Sequence, residues 1–224
     1  MAICIEKTSA ELGPHFILTP ERYNPKRRMD LPDLDDGVVL SEIVSLINDT
    51  ITMKKSCDTL CYQINTSDAL GGCLRIPPQK EQLNSNKKII KTGDVIISRL
   101  RPYLKQVAFV DAVKEDAAVG VSTEFYVLRA RNQESIAFLV PFLLSIPAQT
   151  VFANSVEGSQ HPRFKEEDLL QLVIPREIYD RRGIISMHIE NAIKSYREFE
   201  QALDAELKGL NESMQQMCKI EHEE

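Results

Sequence analysis

Residues 181–219 contain no proline and only Gly183 and Gly209, and they place Ile189, Tyr196, Leu203, Leu210 and Met217 at intervals of seven. Ala192, Phe199, Leu207 and Met214 fill the seats between, with one slip where Glu206 stands in the expected place. A continuous helix over this stretch would be ~58 Å long at ~1.5 Å per residue, which outreaches the body that the preceding residues can build. Its apolar stripe needs a partner, and a sustained seven-residue repeat argues for a coiled coil rather than a terminal helix folded back on the body. The chain therefore divides into a body, residues 1–176, and a long spacer or dimerisation helix, residues 177–224.

Charge follows the same division. The chain has 224 residues, 43% hydrophobic and 27% charged, enough to bury a proper core. Its net charge of −6 argues at first sight against a polyanionic partner. However, residues 177–224 hold 11 acidic and 6 basic side chains, which leaves the body with 21 basic and 22 acidic. Within the body, Lys87, Lys88, Lys91, Arg99, Arg101 and Lys105 face only Asp94, and Arg22, Lys26, Arg27 and Arg28 form a second basic cluster. The body is thus expected to have polarised faces.

Along the body the reading is of mixed α+β type. Residues 1–37, with Pro14, Pro20, Pro25 and Pro32, read as an arm wrapping the domain. VVLSEIVSLI suits a strand entering a short helix, and 51–76 reads as short, irregular strands. A turn at Thr92-Gly93-Asp94 leads into VIIS, a basic loop RLRPYLK and the strand QVAFV, a hairpin-like unit. EFYVLRAR alternates at period two and is another strand. Residues 134–156 are read as helical, with Pro147 at the first position of a second helix. SQHPRF follows as a loop, 164–170 as a short acidic turn or helix, and LVIP as a last strand.

Catalytic patterns are missing. There is no GxGxxG, GxxxxGK[ST], GxSxG or HExxH, nor the Asn/Asp-Pro-Pro-Tyr/Phe tetrapeptide of amino-methyltransferases. His15, His161, His188 and His222 are scattered, and Pro32-Asp33 with Glu206-Leu207-Lys208 makes no credible nuclease set, because the latter three lie on the heptad helix. Cys4, Cys57, Cys61, Cys73 and Cys218 are odd in number and irregularly spaced, so they read as free thiols of a reducing, cytoplasmic compartment rather than a metal site. No cofactor is expected. The apolar run 135–156 is interrupted by prolines and polar residues and amounts to about half a membrane span.

The run KIIKTGDVIISRLRPYLKQVAFVD, then VGVSTEFYVLRA, then AFLVPFLLSIPAQTVFANSVEGSQHPRFKEEDLLQLVIP and a long heptad helix, resembles the specificity (S) subunit of Type I restriction-modification systems. HFILTPERYNP and VVLSEI look like that family's opening arm and first sheet, so the resemblance spans roughly residues 15 to 217. The usual family member carries two recognition domains and two spacer helices, and this chain has one of each. The resemblance implies an α+β target-recognition domain that reads double-stranded DNA without an active site of its own. It also implies a methyltransferase (M) subunit and, where present, a restriction (R) subunit as partners. Pairing of two half-subunits would run through Ile189, Tyr196, Phe199, Leu203, Leu207, Leu210, Met214 and Met217, antiparallel as in the family. Two loops are expected to contact DNA: Arg99, Arg101, Tyr103 and Lys105 around Pro102, and Ser159, Gln160, His161 and Arg163 after Gly158. Lys87, Lys88 and Lys91 are more generic and are assigned to phosphate contact or to solvent alike. The competing readings are a recognition module of another DNA-modification or phage-defence system, an enzyme whose motifs are unfamiliar, and a coiled-coil adaptor with no DNA role.

Overall fold

A computed structural model describes residues 4–9, 36–52, 60–77, 79–111, 113, 119–156 and 160–220, with side chains to residue 217 in the last helix. The arm expected over 1–37, with Arg22, Lys26, Arg27 and Arg28, lies almost wholly outside the described residues.

The framework is a six-stranded sheet. Its strands are β2 (Val44–Ile47), β12 (Phe125–Ala130), β9 (Val95–Ser98), β10 (Val107–Phe109), β6 (Gly72–Leu74) and β5 (Ala69–Leu70), in that spatial order, with only the β10–β6 pair parallel. In β9 and β12 nearly every side chain is buried, because both faces of the sheet are covered. Val95, Ile97, Tyr126 and Leu128 point to one core, and Ile96, Phe125 and Val127 to the other. That division is the period of two that a pleated strand imposes.

On the first face lie α1 (Leu40–Ile43), α2 (Leu139–Leu144), α3 (Ile146–Ser155) and α4 (Glu166–Leu170), which bury Leu40, Leu139, Leu143, Phe152 and Leu169. Against the second face packs a five-stranded sheet, β3 (Thr50–Ile51), β8 (Lys87–Ile89), β11 (Val119–Ser122), β4 (Leu60–Ile64) and β7 (Glu81–Gln82). Strands β1 (Val38–Val39) and β13 (Val173–Ile174) form a separate antiparallel pair. The expected strand-to-helix entry, the hairpin and the last strand are all present. The first helix of the 134–156 segment starts only at Leu139. Pro147 occupies the second helical position, after Ser145 caps the helix by accepting from the Ala148 N–H.

One turn is pinned by a buried charge. Asp94, 1% exposed at its side chain, accepts from Arg129 Nε and Nη2 at 2.8 and 2.7 Å and from the Lys91 N–H at 2.8 Å. Gly93 takes φ +93°, which an L side chain rarely adopts, and lets the chain enter β9.

The long helix is α6 (Arg182–Ile220), preceded by α5 (Arg176–Asp180). Its first half leans on the body: Ile193 is 4% and Ser186 2% exposed, and Ile185 and Ile189 pack against the first core. Among the described residues Arg197 makes the last firm anchor, donating to both Asp111 oxygens at 2.9 and 3.0 Å, to the Leu74 carbonyl and to Glu200. Beyond Glu200 every described residue is exposed. The folded-back and the protruding arrangements therefore both occur, in consecutive halves of one helix. Among the described residues no helix is long and apolar enough to cross a membrane.

Phe152 is fully buried and stacks on Phe164 with ring centroids 4.4 Å apart. Phe152→Ala should cost about 3–5 kcal/mol in urea unfolding, and a loss below about 1 kcal/mol would contradict this packing.

Candidate nucleic-acid interface

The loop joining β9 to β10 is built around Pro102, which is buried and begins a 3-10 turn ending at Leu104. Arg101 and Lys105 flank that turn with φ of +50° and +52°, the only non-glycine residues with positive φ among the described residues. This reversal exposes Lys105, Leu104 and Tyr103, the last at 65%. A second loop, reached sixty residues later, lies beside it. Leu100 and Arg163 form an antiparallel bridge, the Arg101 N–H donates to the Pro162 carbonyl at 2.8 Å, and the Phe164 N–H donates to the Arg99 carbonyl at 3.2 Å. Beneath them the Tyr126 hydroxyl donates to the Phe164 carbonyl at 3.1 Å. The two loops expected to touch DNA are therefore hydrogen-bonded to one another, residues 99–101 of the first to residues 162–164 of the second.

Glu124, in the turn between β11 and β12, ties their cations together. Its carboxylate accepts from Arg163 Nη2 at 2.6 Å and Nε at 2.9 Å, and from Arg99 Nε at 3.0 Å. Arg163 Nη1 donates to the His161 carbonyl at 3.1 Å. The Arg163 hydrogen bonds, supported by Arg99 and opposed by burial, hold the Glu124 carboxyl below the usual carboxylate range. The side chains of Arg99 and Arg163 remain 37% and 40% exposed.

An open cleft of about 630 Å³ runs past this cluster, lined by Asn48, Lys88, Tyr126, His161 and the two arginines among others. Lys88 places its ammonium 5.7 Å from the centre of the Tyr126 ring, and burial, with the Arg99 charge, lowers its pKa. Gln160 and His161 are exposed, Arg101 is half-buried, and Ser159 lies outside the described residues.

Lys87 is a correction. It is 3% exposed, which removes it from phosphate contact. Neighbouring strand residues point to opposite faces, so when Lys88 turns to the cleft, Lys87 turns inward against Gly120. A Cβ at Gly120 would come within 2.5 Å of the Lys87 Cβ. Glu124 and Tyr126 were missed because an acid opening a strand and an aromatic within it carry no functional signal in one sequence.

No family model matches the chain, and no curated protein does. Among solved structures, a chain from work on complex assembly and conformational transition of the type I R-M system is 24% identical at a TM-score of 0.55, over 80% of this chain and 47% of that one. The HsdS subunit from Thermoanaerobacter tengcongensis is 23% identical at a TM-score of 0.50, over 75% and 44%. The chain shares the fold of these two solved chains and spans about half their length.

Glu124 has a folded pKa below its unfolded one, so its contribution to stability is complete above the unfolded value, ~4.3, and is lost as pH falls through the folded value. The stability difference between wild type and Glu124→Gln should be constant from pH 8 to 5 and shrink in stronger acid. A difference that grows on acidification would contradict the ion pairs described.

Proposed function

We propose that the chain is a sequence-specific DNA-recognition subunit that directs a methyltransferase or restriction complex to its target and has no catalytic activity of its own. The observation that carries this reading is the backbone bridge between Leu100 and Arg163, which sets Arg99 beside Arg163 and His161 in a cleft that Lys88 also lines, so that cations from distant parts of the sequence stand together. Guanidinium forks suit guanine edges and phosphates alike, and Gln160 offers a bidentate amide for adenine. The shared fold with specificity subunits supports the same reading, and a methyltransferase subunit is the partner it implies.

The helix supplies the second half of the proposal. Tyr196, Phe199, Leu203, Leu207, Leu210, Met214 and Met217 follow one another at steps of three and four and are 41 to 67% exposed. Burying such a stripe releases water from apolar surface, and a second copy of the same helix provides a matching stripe by symmetry. Ile189 contributes little to this pairing, since it is half-buried against the body. Antiparallel pairing would put the two bodies at opposite ends of the rod and fit a two-part, inverted target with an unread spacer.

The isolated chain should bind duplex DNA weakly and lose affinity steeply as salt rises. Replacing Arg99, Arg101 and Lys105 together by Ala should flatten the dependence of log affinity on log salt. Unchanged binding and slope in a mobility-shift series would remove this loop from the interface.

The chain should sediment as a dimer at tens of micromolar, and Leu203→Glu with Leu210→Glu should yield monomers with the circular-dichroism signature of a folded body. A monomeric wild type would end the dimer proposal.

A further inference from the structure

An acid at the centre of a surface that faces a polyanion is electrostatically adverse, because it repels the phosphates its neighbours attract. Fastening the loops does not require it. The Leu100–Arg163 bridge and the backbone bonds from Arg101 and Phe164 already join the two loops, and the Phe164 ring between Tyr126 and Phe152 anchors the second of them to the body. What the backbone cannot do is orient two long, flexible side chains. Glu124 does so by taking two N–H groups from Arg163 and one from Arg99, while the His161 carbonyl takes a fourth.

We infer that Glu124 is a positioning residue for discrimination: it holds Arg99 and Arg163 in fixed orientations and lowers the attraction of the surface for DNA of any sequence. The inference rests on the DNA-recognition reading above. Binding to an arbitrary duplex depends on charge, whereas choosing one base pair over another depends on a guanidinium fork held at a fixed angle. Removing the carboxylate acts on the two in opposite directions. A residue that merely stabilised the loops would weaken both together.

The test uses the full chain, with wild type, Glu124→Gln and Glu124→Asp. Each is bound to one arbitrary duplex at several salt concentrations, and each is put through selection from a randomised duplex pool. Glu124→Gln should bind the arbitrary duplex more tightly, with a salt slope steeper by about one unit, and its preference for the selected sequence over the arbitrary one should fall about tenfold. Glu124→Asp keeps the charge but withdraws it by one methylene. Its arbitrary-duplex affinity and slope should match wild type while its preference falls. Preference unchanged in both variants, or affinity and preference falling together in Glu124→Gln, would overturn the inference. Failure of the wild type to bind any duplex at low salt would instead overturn the DNA reading itself. Selective binding by the wild type upholds that reading whichever way the variants behave.

Discussion

A strand buried on both faces has no solvent side on which to place a polar residue, and β9 over Val95–Ile97 and β12 over Phe125–Leu128 meet that condition at the centre of the six-stranded sheet. Their side chains separate two cores, with helices above one face and a second sheet below the other. Each part of the candidate interface is held relative to these two strands. The basic loop leaves the end of β9, Glu124 stands immediately before β12, and Tyr126 within β12 supports the second loop from below.

Charged groups inside this framework act as fasteners at its ends. The Asp94–Arg129 pair locks the turn that feeds β9 to the neighbouring strand, and the Arg197–Asp111 pair locks α6 to the end of β10. Both are bidentate, the geometry in which a guanidinium gives most directional control. The second sets the direction in which the exposed half of the helix leaves the body. The Glu124 cluster has the same chemistry but half-exposed cations, which suits it to an interface rather than to the interior.

Much of this was legible in the sequence, since hydrophobic period and turn chemistry are local properties. The seven-residue repeat and the absence of proline pointed to the long helix, which begins at Arg182 after the separate short helix α5 rather than at residue 177. Alternation in EFYVLRAR gave β12, and Gly93 with Asp94 gave the turn into β9. The density of Arg and Lys around Pro102 marked one loop, and the polar run SQHPRF marked another. The resemblance to specificity subunits came from the order of these segments.

Three things were decided only by tertiary structure. Contact between the two loops depends on a backbone bridge across 63 positions, Leu100 to Arg163, and local pattern carries no information about it. The fates of Lys87 and Lys88 depend on strand register, which a one-residue slip would reverse. The heptad stripe is continuous in sequence, yet its first turns are used against the body and its later turns are left exposed. Periodicity determines that a helix has an apolar side, and only packing determines what covers that side.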